Sequence, residues 1–353
     1  MSILKNIRKQ MQEQSIDGLL IASPINRRYV TNFTGSAGVA LITEQEAMLI
    51  TDFRYTEQAK EQAQEFTVVE HTIGLDSEIA KQIKNLHIEQ LGFEAEHTTY
   101  VTFKQYESKF FTNLVPTQGL IEQLRVIKTA EEIDTMKKAA NIADAAFTHI
   151  LNVIKPGIKE IDVANELEFF MRKQGATSSS FDIIVASGYR SALPHGMASE
   201  KEIMSGELVT MDFGALYNGY CSDITRTVAV GEINDELYRI YSTVLEAQNR
   251  GVARITSGMK GKEADQLTRE IITEHGYGPN FGHSTGHGLG LEVHENPRLS
   301  PNSNEVLEEN MVVTVEPGIY VPNVGGCRIE DDIIIKKSGN EVMTHSPKEL
   351  ITL

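Results

Sequence analysis

The sequence predicts two domains: an α/β domain over residues 1–123 and, over 124–353, a second domain built from a repeated helix–helix–strand unit. Three observations predict this. A chain of 353 residues exceeds what one hydrophobic core usually serves. Its first third alternates buried-strand runs with amphipathic stretches, the pattern of an α/β sheet. Beyond Leu124, the residues Ile154, Gly157, Lys159 and Gly175 return as Ile255, Gly258, Lys260 and Gly276, each 101 residues on.

The first domain opens with an amphipathic helix at about 3–15. Apolar runs at 18–22, 38–42 and 47–51 read as strands. A helix at 54–64, a strand at 67–70, a helix at 76–86 and a strand at 90–93 complete the alternation. Between the early strands lies the small-residue loop Asn32-Phe33-Thr34-Gly35-Ser36-Ala37-Gly38. It reads as a set of tight turns, because Gly and Ser permit such paths; ligand binding is the less favoured reading.

In the second domain Thr129 and Glu132 form a capping box ahead of a long helix at about 130–153. Lys155-Pro156-Gly157 stops that helix, and another follows at 160–174, ending at Gly175. The later copy repeats the phrase: a helix, a Gly break, a helix, a Gly stop, then strand-like segments. Two such halves would face each other, and their seam is a natural place for a site.

The bulk composition excludes several classes. The net charge is −16, from 33 Lys and Arg against 49 Asp and Glu, which argues against nucleic acid as a partner. No apolar run approaches the roughly 18 residues of a membrane-spanning helix, and the first 15 residues lack a signal-peptide core. Two cysteines build no disulfide framework. The expectation is a cytoplasmic protein with no membrane partner.

Acids then appear where acids are poorly placed. Asp212 interrupts the apolar strand Leu208-Val209-Thr210-Met211-Asp212-Phe213, followed by the turn signal Asn218-Gly219. With those two as the turn, paired positions sum to 437, so Asp212 faces Thr225. Asp223 is then a diagonal neighbour on the same face, roughly 7–8 Å away at the backbone. A solvated hairpin is the bland alternative, yet an acid inside such a run does not suit a solvent face. Next comes Gly282-His283-Ser284-Thr285-Gly286-His287-Gly288-Leu289-Gly290-Leu291-Glu292-Val293-His294, dense in His, with glycines that let backbone approach a ligand. It is neither a helical zinc motif nor a phosphate loop. Finally, Glu316 lies in Val315-Glu316-Pro317-Gly318 and Glu330 in Arg328-Ile329-Glu330. On one strand Arg328, Glu330 and Asp332 would share a face, and a cation beside acids orients them and keeps them ionised. Cys221 and Cys327 flank these acids; they read as small core residues rather than soft-metal ligands.

Asp212, Asp223, His287, Glu316 and Glu330 together form four carboxylates and one imidazole, a set able to hold two divalent cations side by side. Gly282-His283-Ser284-Thr285-Gly286 also fits a serine-nucleophile pattern, but that elbow needs a strand before it and a helix after it, which this sequence does not offer.

The four segments in this order resemble the pita-bread metallopeptidases, which include methionine aminopeptidase, aminopeptidase P and prolidase. The resemblance covers 124–353. The first domain resembles the creatinase/prolidase N-terminal domain through Tyr29-Val30-Thr31-Asn32-Phe33-Thr34-Gly35-Ser36 and Thr51-Asp52-Phe53-Arg54-Tyr55. It implies an α+β catalytic domain, a curved antiparallel sheet with a pseudo-twofold repeat, backed by helices and holding two metals on its concave face. It further implies that Asp212 binds one metal bidentately, that Asp223 and Glu330 bridge, and that His287 and Glu316 complete the other site. Glu316 would shuttle the proton, His294 and His195 would face the reacting carbonyl, and His283 would line a proline pocket. Manganese is the expected metal, with Co, Zn and Fe as alternatives, and a homodimer is expected.

Methionine aminopeptidases usually lack so large a first domain, and creatinase lacks the ligand set. The whole chain therefore resembles the Xaa-Pro branch. Arg298, four residues after His294, matches an arginine that some prolidases carry for a dipeptide's free carboxylate, a clamp with a clear physical basis. It favours an Xaa-Pro dipeptidase over an aminopeptidase P; a surface arginine is the plain alternative. Arg328 is expected to contact substrate. A non-catalytic binding protein on the same fold is the remaining alternative, and the retained ligands argue against it.

Overall fold

A computed structural model describes residues 3–353; Met1 and Ser2, at the head of the expected first domain and leader stretch, lie outside the described residues. The chain divides into two compact units, Met1–Arg125 and Val126–Leu353.

The first unit follows the order α1 (Ile3–Glu13), β1 (Gly18–Ile21), α2 (Pro24–Thr31), β2 (Val39–Thr43), β3 (Ala47–Thr51), α3 (Thr56–Gln62) and β4 (Thr67–Glu70). It continues through α4 (Leu75–Asn85), β5 (Gln90–Glu94), α5 (Tyr100–Lys109), β6 (Asn113–Thr117) and the short α6 (Glu122–Val126). Its six strands run β4-β3-β2-β1-β5-β6. The β1–β2 and β2–β3 pairs are antiparallel and the outer pairs parallel. Alternate residues serve opposite faces: Leu19, Ile21, Ala40 and Ile42 pack with Ile7 and Met11 of α1, whereas Leu20, Val39 and Leu41 pack with Ile79 and Ile83 of α4. A sheet covered on both faces explains why its strands read as unbroken apolar runs. Four elements exceed the expected alternation: α2, α5, β6 and the short α6. The 32–38 loop is filled from within. Buried Arg27 donates to the carbonyls of Gly35 and Gly38, and Thr51 donates to that of Ala37.

The second unit shows the repeat in its backbone. Helices α7 (Ala130–Ile150) and α8 (Glu160–Lys173) are matched by α9 (Asp235–Arg254) and α10 (Gly261–Glu274). Gly157 and Gly258 both carry left-handed φ, +90° and +89°, a conformation that glycine adopts at little cost. Each donates its N–H to a loop carbonyl beside an isolated β-bridge, Ile203 O and Leu307 O respectively. The Thr129–Glu132 capping box is present. Thus the sequence echo marks two equivalent helix–turn–helix crossings.

Between the helix pairs lie short antiparallel strands. One sheet comprises β8 (Ile184–Ser187), β9 (Glu207–Phe213) and β12 (Ile224–Val230) in the order β12-β9-β8; a smaller one joins β7 (Ser178–Ser179), β10 (Ala215–Tyr217) and β11 (Tyr220–Cys221). In the other half β13 (Gly286–Gly288), β14 (Glu295–Leu299), β15 (Val312–Val315), β18 (Asp331–Ile335) and β19 (Asn340–Val342) are ordered β14-β13-β15-β18-β19, while β16 (Gly318–Val321) pairs with β17 (Gly325–Arg328). Ala143, Phe147, Val163 and Leu167 of α7 and α8 pack on Val185, Val209, Met211 and Val228. In the second half Ile255 and Ala264 pack on Leu299, Val313, Val315 and Ile333. Cys221 and Cys327 are free, buried thiols within apolar clusters. No helix of the described residues is long and apolar enough to cross a membrane.

Candidate active site

The expected hairpin register is found: Asp212 pairs with Thr225 across β9 and β12. Asp223 lies at the entrance of β12, where its N–H is held by Asp332 Oδ2 at 2.9 Å. The strand expected to run through 326–332 breaks instead. It pairs with β16 up to Arg328, and it resumes against β15 from Asp331. At the break the Glu330 N–H turns to Thr225 O, 3.1 Å away. That crossing joins the two halves and delivers Glu330 beside Asp223. His287 sits on β13, and Glu316 follows β15 with its N–H bonded to Thr285 O at 2.7 Å.

These side chains converge. Ligand atoms of Asp223, His287 and Glu330 all lie within 4.8 Å of one another, and all three residues are buried. His287 Nε2 is 3.3 Å from Glu316 Oε1 and 3.8 Å from Asp223 Oδ2. The Thr225 hydroxyl donates to Glu330 Oε2 at 2.7 Å. Thr314 plays a matching part in the other half, accepting from His287 N at 3.1 Å and donating to Glu316 Oε1 at 3.3 Å. Buried Arg328 donates to Asp212, to Thr225 Oγ1, to Tyr320 Oη at 2.7 Å and to Pro194 O at 3.1 Å. The loop that carries His195 is thereby tied to the same guanidinium.

Electrostatics set this cluster apart. Burial first, then the charges of Glu330, Asp212, Asp332 and Glu316, push the Asp223 carboxyl well above its usual range. Burial likewise raises Glu330, with Glu316 and Asp212 adding to it. Glu316 is raised to about 8 by burial, against the opposing pull of Arg328. Burial lowers His287 to about 3, with His294 contributing, so its imidazole is neutral and free to act as a ligand at pH 7. In addition, Asp212 Oδ1 and Asp223 Oδ1 are buried without a hydrogen-bond partner. Crowded acids with orphaned oxygens beside a neutral imidazole fit divalent cations well, since cation charge would relieve the repulsion and use the free lone pairs.

A cavity of about 530 Å³ opens onto the cluster. Every residue expected at the site lines it: Asp212, Asp223, His287, Glu316 and Glu330, with His195, His283, His294, Arg298 and Arg328. His283 Nε2 bonds Tyr320 Oη at 2.8 Å, and burial with Arg328 nearby lowers its pKa to about 4. The His287 and His294 rings meet edge to face, centroids 4.4 Å apart. The segment Gly282–Gly286 leads into β13 and no helix follows it, so the serine-nucleophile elbow is not formed. Thr314, Tyr320, Asp182, Phe181, Met197 and Val293 were not among the expected site residues; the last four line the cavity.

The family model for metallopeptidase family M24 matches residues 134–337. The chain belongs to family M24. It is a metallopeptidase, and the family implies divalent metal ions. Residues 3–127 match the creatinase/prolidase N-terminal domain. This M24 chain is 60% identical to the Xaa-Pro dipeptidase from Bacillus anthracis, whose structure superimposes with a TM-score of 0.98 over 99% of each chain. It is 43% identical to the Xaa-Pro dipeptidase of Pyrococcus furiosus over 99% of both chains. The X-Pro aminopeptidase from Thermotoga maritima is 41% identical, with a TM-score of 0.92 over 98% of this chain and 100% of that one.

Proposed function

We propose that this M24 metallopeptidase hydrolyses the peptide bond before proline and acts as an Xaa-Pro dipeptidase in the cytoplasm, as a homodimer. Asp212, Asp223, His287, Glu316 and Glu330 hold two divalent ions, with manganese favoured over Co, Zn or Fe. When bound, such ions supply an activated water and polarise the scissile carbonyl.

The chain's own residues do the rest. Glu316, with a pKa near 8 before metal enters, takes the proton of the attacking water and passes it to the proline nitrogen. His294 and His195, both exposed to the cavity, stabilise charge developing on the carbonyl oxygen. His283, fixed by Tyr320 and the Ser284 carbonyl, walls the proline side; a residue without an N–H and with a fixed φ calls for a dedicated pocket. Arg328 spends N–H groups on Asp212, Thr225, Tyr320 and Pro194, so it orients Asp212 and the His195 loop, and its place in the cavity lining supports a contact with substrate.

The observation that carries the dipeptidase reading is Arg298. It stands exposed on the cavity wall, in register with His287, and no described side chain accepts from its guanidinium. A free guanidinium there suits the carboxylate of a C-terminal proline. The similarity to the Pyrococcus furiosus and Bacillus anthracis dipeptidases supports the same choice. Similarity to the Thermotoga maritima enzyme supports a second reading, an aminopeptidase P that releases the residue before proline from longer peptides. Assay of Leu-Pro against Leu-Pro-Gly with Mn²⁺ decides between them. Preference for the tripeptide overturns the dipeptidase, and inactivity of the folded, metal-loaded protein on both overturns the whole reading.

A further inference from the structure

Asp182 lines the same cavity and belongs to no part of the machinery above. It is exposed, and no described residue donates to its carboxylate. It lies two residues before Ile184, which pairs with Asp212 on one side and bridges Met197 on the other. Phe181, Ile184 and Met197 give its surroundings apolar walls.

The sheet order gives Asp182 a counterpart. The acid lies just ahead of β8, the edge strand of β12-β9-β8, whereas Arg298 lies on β14, the edge strand of the other half. The ligand cluster occupies the seam where Glu330 N meets Thr225 O and Asp223 N meets Asp332 Oδ2. The cavity thus carries one unpaired negative charge on one flank of the cluster and one unpaired positive charge on the other. A free dipeptide is a zwitterion with that same polarity. If the proline carboxylate goes to Arg298, the residue before proline lies on the Asp182 side.

We infer that Asp182 is a specificity residue which receives an ammonium group from the acyl half of the substrate. This rests on the Xaa-Pro reading above. The ammonium has two sources, the substrate's α-amino group or the side chain of a Lys before proline. Charge-assisted hydrogen bonds of this kind change binding by about 10–100-fold.

The test compares wild type with Asp182→Asn and Asp182→Ala, all loaded with Mn²⁺ and checked for equal Tm. The substrates are Leu-Pro, Lys-Pro and 4-methylpentanoyl-Pro, the analogue of Leu-Pro without its amino group. If the α-amino group is the partner, both variants lose about 10–100-fold in kcat/KM on Leu-Pro and on Lys-Pro. They lose nothing on the des-amino analogue, so the wild-type advantage of Leu-Pro collapses. If the side chain is the partner, only Lys-Pro falls. Values within twofold of wild type on all three substrates overturn the inference while leaving the Xaa-Pro reading intact. A wild-type enzyme inactive on Leu-Pro and Lys-Pro overturns both. An equal loss on all three substrates is a structural effect and also overturns it.

Discussion

His287 Nε2 lies 3.3 Å from Glu316 Oε1, yet the imidazole is neutral at pH 7 and the carboxyl titrates near 8. Neither partner gains a full salt bridge from the other. The pair is arranged for a third, cationic participant, and metal uptake must therefore displace protons from Glu316 and its neighbours.

That displacement gives a pH prediction with a defined sign. Glu316 has a folded-state pKa of about 8 against an ordinary 4.5. Its protonation favours the fold at low pH, and this contribution is lost as pH rises through 8. Above about pH 7.5 His283, His287 and His294, all lowered in the fold, are close to neutral in folded and unfolded chains alike, so they add little opposing slope. Tm of the metal-free protein should fall between pH 7.5 and 8.5, while the increment produced by Mn²⁺ should grow across the same range. Calorimetric titration in two buffers of different ionisation enthalpy should report proton release at pH 7. A flat metal-free profile with no proton release would contradict the assignment.

Glu316→Gln keeps the shape of the side chain and its contact with Thr314 but cannot carry the proton. kcat on Leu-Pro should drop by about 10²–10⁴-fold, with Tm in the absence of metal unchanged or raised, because one buried acid is gone. Near wild-type turnover would remove Glu316 from the proton path.

Arg298→Ala separates the two peptide lengths. Loss of the carboxylate partner should raise KM for Leu-Pro by about 10–100-fold and leave kcat nearly unchanged. A tripeptide, whose carboxylate lies one residue further out, should be hardly affected. Equal effects on both would mean that Arg298 is a surface residue.

Much of this site was legible because its local rules are strict. The Asn218-Gly219 turn sets the register that pairs Asp212 with Thr225, and the Gly157 and Gly258 echo marks real left-handed breaks. What was hidden is long-range. The Thr225–Glu330 and Arg328–Asp212 bonds join residues 105 and 116 positions apart, so no periodicity within one segment reveals them. The break between β17 and β18 was hidden for the same reason, since its cause is the Thr225 carbonyl on the opposite half. In the first unit β6 escaped notice because Pro116 demotes a strand in sequence. It is tolerated there because β6 is an edge strand.

Arg328 holds four groups at once, so its removal should be felt in the fold as well as in metal binding. Arg328→Met leaves Asp212 without its counter-charge and strips the Tyr320 hydroxyl and the Pro194 carbonyl of a donor. Breaking a buried pair of this kind costs about 3–5 kcal/mol. A large fall in Tm is expected, partly restored by Mn²⁺, because a cation beside Asp212 replaces part of the lost charge. Urea unfolding with and without Mn²⁺ checks both statements.

Gly286 tests how tightly the backbone places His287. A Cβ added there would lie 2.0 Å from Thr314 O, a backbone atom of the neighbouring strand β15. No side-chain rotation can relieve that contact, so β13 must move away from β15. Overpacking of this type costs about 1–3 kcal/mol or more. The same movement carries His287, the next residue, away from Glu316 and stretches the His287 N to Thr314 Oγ1 bond, now 3.1 Å. Gly286→Ala should therefore weaken Mn²⁺ binding more than its loss of stability alone explains. Gly282→Ala, where a Cβ meets nothing within 4 Å, is the matched control and should leave both quantities near wild type. If the two variants bind Mn²⁺ equally well, the close approach of β13 to β15 is not what sets the position of His287.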